Sequence, residues 1–225
     1  MPAVTGFSPT NISDLIAWYD ASDTTTITES GGDVSQWDDK SGNGNHLTQG
    51  SSTEQPGTGN NTQNGLNVLD HDGTEYLQRT TFVGGALSQP TTVFLAADTS
   101  TAASDYYFDS ANTSNRQTSF LSGGNDVQMF AGAVLGFSGN PGSGTFDQLT
   151  FLFDTTSSEF WVNGTSQGTG SVGSQTMVGF TEYARFNGAQ ASIGDVGEII
   201  IYDKELTTTE RQQVETYLKD KWGTP

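Results

Sequence analysis

Oxygen-bearing side chains on a glycine-rich loop are the residues whose types and spacing could bind a metal ion. Asp39 begins the segment DKSGNGN, where carboxylate, amide and backbone oxygens can converge because glycine permits a tight turn. Calcium takes about six to eight oxygen ligands, more than this loop supplies. The candidate calcium ligands are Asp20, Asp39, Gly42, Asn43, Asn45 and Glu198. The alternative is a glycine turn closed by the Asp39 side chain, without a metal.

The carboxylates and histidines do not have the spacing of a hydrolase. A retaining glycosidase needs two carboxylates about 5 Å apart, and alternate residues of a strand share one face. Glu198 and Asp203 are separated by an odd number of positions, which places them on opposite faces. A Ser-His-Asp triad would have to use His46 or His71, and both are typical of loops or strand ends. We therefore predict that the protein is not an enzyme.

Aromatic residues in polar segments are the candidates for binding carbohydrate, because a ring can stack on the apolar face of a sugar. The residues in or next to polar loops are Tyr106, Tyr107, Phe137, Tyr183 and Phe186. The alternative is that these rings are buried, as large rings usually are. The four tryptophans lie within patterned segments, and we expect them in the core.

The charge balance restricts the partners. Eight basic and 26 acidic side chains give a formal charge of −18. This charge repels phosphate backbones and anionic lipids, so we predict neither nucleic-acid binding nor membrane insertion. It suits neutral glycans, cationic partners or divalent cations, although it could also serve solubility alone. The first ten residues do not resemble a signal peptide, and we expect the protein outside the cell or on a virion surface.

The pattern of elements predicts one all-β domain over residues 1–225 with a single helix at its end. Short β-rich runs separated by Gly, Asn, Asp and Ser recur along the chain, and the Asn163-Gly164 pair predicts a tight hairpin. The polar stretch 50–65 is predicted to be a surface loop. Thr207 and Glu210 have the spacing of a capping box, which predicts an amphipathic helix near Thr208–Lys221.

Four segments together resemble those of laminin-G-like jelly-roll domains of the type found in marine bacterial and phage surface proteins. Residues 37–46 (WDDKSGNGNH) resemble the early W-x-D-x-S-G-N-G-N segment, and residues 160–164 (FWVNG) resemble the central hairpin. Residues 195–207 (DVGEIIIYDKELT) and 217–223 (YLKDKWG) resemble the two closing segments. Residues 84–143 match no such pattern. The resemblance implies a concanavalin-A-like sandwich of two antiparallel sheets, in which many members hold calcium at one edge.

The resemblance and the residues together predict a non-catalytic surface module. Members of this group are mostly carbohydrate-binding, adhesive or structural, so we expect recognition of a glycan or host-surface polysaccharide, with calcium stabilising the loop edge. One alternative is a structural virion component, such as a decoration or tail protein, that packs against virion proteins or copies of itself. A polysaccharide-degrading enzyme is a further alternative, which the missing carboxylate pair disfavours. Fold alone does not decide between them.

Overall fold

A computed structural model of the protein describes residues 6–100, 105–122, 126–137, 141 and 144–225. Within these residues there are seventeen strands, two short 3-10 helices and one α-helix. The strands are β1 (Leu15–Asp20), β2 (Ile27–Ser30), β3 (Asp33–Trp37), β4 (Leu47–Thr48), β5 (Gly57–Gln63), β6 (Leu66–Asp72), β7 (Gln78–Arg79), β8 (Thr91–Ser100), β9 (Tyr106–Asp109), β10 (Thr118–Leu121), β11 (Val127–Phe130), β12 (Val134–Phe137), β13 (Asp147–Phe153), β14 (Ser158–Val162), β15 (Thr165–Gly170), β16 (Phe180–Glu182) and β17 (Ile193–Tyr202). The 3-10 helices span Pro9–Asn11 and Thr24–Thr26, and the α-helix α1 spans Thr208–Trp222.

Strand β17 is the centre of the sheet. It pairs with β8 along its whole length, while its other edge pairs with β6 and then with β1. From β8 the pairing continues through β13 and β14 to β15, and a second run leads from β3 through β4, β7, β16, β9, β10 and β11 to β12. All pairings between described strands are antiparallel.

The predicted all-β fold with one C-terminal helix is confirmed, but the separate two-sheet jelly-roll sandwich is not. The pairing joins every described strand in one continuous sheet, and β12 lies against β15, so the sheet is nearly barrel-shaped. The stretch 50–65 is also not only a loop, because it contains β5. This strand is polar at most positions and exposed, and therefore lacks the apolar alternation that identifies a strand.

The hydrophobic core has two parts, on either side of β17. Ile199 and Ile201 face the interior of the barrel, whereas Ile200 and Tyr202 face outward, under the helix. The helix covers this outer part with Val214, Leu218 and Trp222. Because alternate residues of a strand point to opposite faces, a strand that is covered on both sides reads as a continuous apolar run.

The predicted helix and hairpin are both confirmed. Thr207 accepts the backbone N–H of Glu210, whose carboxylate accepts the backbone N–H of Thr207 in return, and Gly223 ends the helix in the left-handed conformation. Asn163 and Gly164 both have positive φ between β14 and β15. No helix of the described residues is long and apolar enough to span a membrane.

A β-bulge at Gly197 changes which face of β17 is buried under the helix. Val196 is opposite Ala97 and Glu198 is opposite Ala96, so Gly197 is the extra residue. Val196 faces the barrel interior, and the bulge turns Glu198 toward the helix instead. A Cβ atom at position 197 would lie 2.9 Å from the Trp222 ring, so only glycine fits here.

We expect Gly197→Ala to lower the free energy of unfolding by roughly 1–3 kcal/mol, because the added methyl group collides with the Trp222 ring. Urea unfolding monitored by circular dichroism measures this loss. Gly50→Ala is the control, since a Cβ atom at that exposed position has no neighbour within 4 Å. Equal stability of the two variants would show that the close approach at the bulge is not a constraint.

Candidate functional site

The Asp39 carboxylate is fully occupied by donors from its own surroundings. Its Oδ1 accepts the backbone N–H groups of Trp18 at 3.0 Å and Ser41 at 2.8 Å. Its Oδ2 accepts the Ser41 hydroxyl at 2.8 Å and the Asn45 backbone N–H at 3.0 Å. A carboxylate has about four acceptor positions, so these hydrogen bonds leave none for a metal ion.

Other residues of the predicted calcium loop form hydrogen bonds with strand β1. Asn43 Nδ2 donates to the carbonyl of Leu15 at 2.7 Å, and Asn45 Nδ2 donates to that of Ile16 at 2.9 Å. The Asn45 side-chain oxygen accepts the backbone N–H of Val83 at 2.7 Å. Gly42 has a φ of +90°, which makes the turn possible. The loop is therefore a structural turn that holds β1 in place.

Lysine ammonium groups occupy the position expected for the metal. Lys221 Nζ lies 2.6 Å from Asp20 and 2.7 Å from Glu198, and Lys40 Nζ lies 2.8 Å from Asp20. Burial would raise the pKa of Asp20, but Lys221 and Lys40 hold that pKa below its ordinary value. In the described part of the chain, no group of three or more His, Asp or Glu side chains could hold a metal ion. The six predicted ligands do not fit calcium.

Three of the five rings predicted to bind sugar belong to the core. Tyr107 packs against Phe151, and Phe137 packs against Phe160. Tyr183 is completely buried, and its hydroxyl donates to the carbonyl of Asp98 at 2.5 Å. These rings have no exposed face on which a sugar could stack, so the prediction is wrong for them. Their strands or turns direct them into the barrel although polar segments lie close to them in sequence.

Tyr106 and Phe186, the other two predicted rings, lie together on the outside of the barrel. Phe186 is half-buried, and Tyr106 is 7% exposed. Tyr106 stacks on half-buried Phe120 with the ring centroids 5.2 Å apart. The guanidinium carbon of Arg116 lies 5.6 Å from the Phe186 centroid, 5.9 Å from that of Tyr106 and 5.7 Å from that of half-buried Phe130. We call Tyr106, Phe120, Phe130, Phe186 and Arg116 the outer aromatic face.

Strand register produces this face. Phe120 on β10 is opposite Tyr106 on β9, and a bulge in this pairing turns Tyr106 outward although Tyr107 and Phe108 face the core. Phe130 on β11 is two positions from Gln128, which is opposite Phe120, so all of these side chains share the outer side. The rings are therefore carried by paired strands, which fix their relative positions more firmly than loops would.

A buried ion pair anchors the centre of the face. Arg116 donates from Nε to Asp109 Oδ1 at 3.0 Å and from Nη2 to Asp109 Oδ2 at 2.6 Å, a two-point contact. Asp109 also accepts the backbone N–H of Phe186 at 3.0 Å. Burial raises the pKa of Asp109, and Arg116 opposes that rise. Because Asp109 lies on strand β9 and accepts the Phe186 N–H, it links the loop that carries Phe186 to that strand.

Sequence reasoning missed Phe120, Phe130 and Arg116. A signal for Phe130 was present, because the β-rich run that forms β11 alternates Val127 and Met129 inward with Gln128 and Phe130 outward.

A polar groove lies between the β14–β15 hairpin and the start of the helix. It has a volume of about 450 Å³, and its walls include Glu159, Trp161, Glu205 and Arg211. The Arg211 guanidinium lies 4.5 Å from the Trp161 ring and also pairs with Glu215. Since Trp161 is only 7% exposed, this groove presents little free ring surface to a ligand.

The two histidines have structural partners. His71 Nε2 lies 3.0 Å from Glu182 Oε1, and both side chains are completely buried. Burial lowers the pKa of His71, but Glu182 raises it above its ordinary value. His46 Nδ1 lies 2.9 Å from Asp38 at the surface. Neither histidine lies on the outer aromatic face.

Three carboxylates form a row across the neighbouring strands β6, β17 and β8. Asp195 is directly opposite Asp70 on one side and Asp98 on the other. Burial raises the pKa of Asp195, as does the charge of Asp70, whereas a hydrogen bond from Asn61 lowers it. Like charges opposite each other in a sheet are destabilising. The row therefore lowers the stability of the folded state at neutral pH.

No protein-family model and no curated protein matches this chain. Solved structures do resemble it. Domain 4 of AbnA, a GH43 extracellular arabinanase from Geobacillus stearothermophilus, in complex with arabinotriose, has a TM-score of 0.65 and 16% identity, over 91% of this chain and 98% of that one. The binding domain of Paraclostridial Mosquitocidal Protein 1 has a TM-score of 0.66 and 11% identity, over 97% of this chain and 56% of that one.

Trypanosoma rangeli sialidase in complex with sialic acid is also similar, with a TM-score of 0.63 and 10% identity. The match covers 95% of this chain but only 34% of the sialidase chain, so this chain spans about a third of that protein. At these identities the likeness shows the fold alone. The shared fold is all-β and occurs in domains of glycoside hydrolases and in a binding domain.

We expect calcium to leave the thermal stability of the protein unchanged, within about 1 °C, because lysine already neutralises Asp20 and Glu198. Differential scanning fluorimetry of chelator-treated protein, with and without millimolar calcium, makes the measurement. An ion at a hundred times its Kd would add ~2.7 kcal/mol, or roughly 5–10 °C. A rise of that size, abolished by Asp39→Ala, would contradict the geometry.

Asp195→Asn should raise the free energy of unfolding at pH 7 by about 0.5–1 kcal/mol, because it removes the central charge of the carboxylate row. Because the pKa of Asp195 is raised in the folded state, its destabilising effect is complete only above that pKa. The gain should therefore disappear as the pH falls through this value toward the ordinary value near ~3.9. Urea unfolding at several pH values tests this, with exposed Asp33→Asn as the control. A gain that persists at acid pH would refute the charge explanation.

Proposed function

We propose that the protein is a non-catalytic carbohydrate-binding module whose saccharide lies on the outer aromatic face. The observation that carries this proposal is the grouping of half-buried Phe120, Phe130 and Phe186 around Arg116 on paired strands. Half-buried rings offer apolar area for stacking on a sugar and are held too firmly to lose much entropy on binding.

Polar groups beside the rings supply hydrogen bonds for sugar hydroxyls. Gln128 is half-buried and lies directly opposite Phe120. Arg116 uses Nε and Nη2 for Asp109, and its Nη1 has no partner among the described residues. A few convergent polar groups on an aromatic surface are typical of sites that orient a small ligand.

The fold likeness supports a saccharide as the ligand class. The match to the arabinanase domain covers 98% of that domain, and its structure was solved in complex with arabinotriose. The environment of the titratable groups supports a non-catalytic role, because Asp109 is held by Arg116 and the His71–Glu182 pair is closed off in the core. A location outside the cell or on a virion surface belongs to the same proposal.

A second candidate function is that of a structural virion component that self-associates through this face. Val134 is 56% exposed and lies directly opposite Phe130, so apolar area extends beyond the rings toward the edge strand β12. Exposed apolar patches mark interaction sites on soluble proteins. In this case the rings would contact another copy of the chain.

Phe120→Ala and Phe130→Ala should each weaken saccharide binding by about 1 kcal/mol, or roughly five-fold in Kd, because each removes a stacking ring. A glycan array identifies the ligand, and isothermal titration calorimetry gives the Kd. Phe7→Ala is the matched control, since Phe7 is a half-buried ring that packs against the helix residue Tyr217. Its binding should equal that of the wild type.

Tyr107→Ala should behave differently, because removing this buried ring costs ~3–5 kcal/mol of stability. If Phe120→Ala and Phe130→Ala bind saccharide as the wild type does, the outer aromatic face is not the site. A different result would favour self-association as the function of the face. In that case no saccharide binds, the mass from size-exclusion chromatography rises with protein concentration, and the Phe130→Ala variant shows no such rise.

A further inference from the structure

Among the described residues of this strongly acidic protein, Arg185 is a cation that forms no ion pair. Arg116 pairs with Asp109 and Arg211 pairs with Glu215, but no acidic side chain of the described residues forms an ion pair with Arg185. Its Nε atom is buried and has no hydrogen-bond partner within the described structure. Buried donors are nearly always satisfied in folded proteins, so this one requires an explanation.

The unpaired guanidinium lies at the outer aromatic face. Its central carbon is 5.2 Å from the Phe186 centroid, and that of Arg116 is 5.6 Å from the same centroid. The nearby carboxylate of Asp109 cannot serve Arg185, because its oxygens already accept Arg116 and the backbone N–H groups of Ser110 and Phe186. The face therefore carries local positive charge.

The backbone around Arg185 is fixed. Its N–H donates to the Ala189 carbonyl at 3.0 Å, and its carbonyl accepts the Gly188 N–H at 2.8 Å. A Cβ atom at position 188 would lie 2.5 Å from the Tyr76 ring, so the turn packs closely against that ring. Gln78 Nε2 donates to the Phe186 carbonyl at 2.7 Å. The turn thus holds Arg185 in place beside the Phe186 ring.

We infer that the outer aromatic face selects carboxylated saccharides, such as oligomers of a uronic acid, and that Arg185 determines this selectivity by pairing with the sugar carboxylate. The inference rests on the proposed function and names its ligand class. A guanidinium binds a carboxylate through two parallel N–H···O bonds, which an ester or a hydroxyl cannot reproduce.

The net charge of −18 does not prevent this binding. Charges of exposed groups are screened over a Debye length of about 8 Å at physiological salt. A carboxylate in contact with Arg185 is much closer than that to the guanidinium, so the direct pair outweighs distant repulsion. The rings also exclude water from the contact, which strengthens it.

The test compares trigalacturonate with its fully methyl-esterified form, which has the same sugar rings but no charge. Calorimetry should show at least ten-fold tighter binding of trigalacturonate by the wild type. Arg185→Gln should lose this preference while it binds the ester within about two-fold of the wild-type Kd. Lys219→Gln, which removes a positive charge from the exposed side of the helix, is the matched control and should keep the preference. Arg185→Lys keeps the charge without the two-point geometry and should retain only part of the preference.

The results separate the two proposals. Two results overturn the inference but leave carbohydrate binding intact. One is that the wild type binds both saccharides equally. The other is that the Arg185→Gln variant melts at the wild-type temperature and still prefers trigalacturonate. If Arg185→Gln does not fold, the comparison between the wild type and Arg185→Lys decides in the same way. Absence of binding by any saccharide, charged or neutral, overturns both.

Discussion

The buried carboxylate of Glu198 joins the first strand, the last strand and the C-terminal helix. Its Oε1 accepts the Trp18 indole N–H at 2.6 Å and the Tyr217 hydroxyl at 2.8 Å, and its Oε2 accepts Lys221 Nζ at 2.7 Å and the Trp222 indole N–H at 2.8 Å. Burial raises the pKa of Glu198, which Lys221 opposes. An unpaired buried charge costs several kcal/mol, at least ~3, and three of these four donors come from the helix. Docking of the helix is therefore a condition for closing the sheet.

The core separates this cluster from the outer aromatic face. The rings of Phe108 and Phe151 meet in the interior with their centroids 5.2 Å apart. Next to Phe151, Thr150 points out to the helix and donates to Glu215, whereas next to Phe108, Asp109 points out to Arg116. The Glu198 cluster and the outer aromatic face thus lie on different sides of the same core. A substitution on the outer aromatic face changes no contact of Glu198, so the proposed binding can be tested with this cluster intact.

Local patterns in the sequence predicted the elements that depend on local chemistry. The capping box at Thr207 and the turn at Asn163 satisfy backbone groups within a few residues, so their spacing is sufficient. The Asp39 loop shows the limit of such reasoning, because its oxygens suit either a cation or N–H donors. For the loop the choice is made by N–H and hydroxyl donors, most of them within the loop itself, whereas for the predicted ligand Asp20 it is made by Lys221, which lies far from Asp20 in sequence. Tyr106 likewise faces outward only because of a bulge that the sequence does not mark.

Net charge is a poor guide to the electrostatics of any one surface, because charge is unevenly distributed over the molecule. The row of Asp70, Asp98 and Asp195 lies on the strands next to the helix, where it adds to the overall negative charge. On the outer aromatic face the carboxylate of Asp109 is already bound by Arg116, and Arg185 adds a further cation. Because salt screens distant charges, the groups close to a surface determine its local electrostatics more than the net charge does, and at this face they include two arginines, of which one is paired with Asp109.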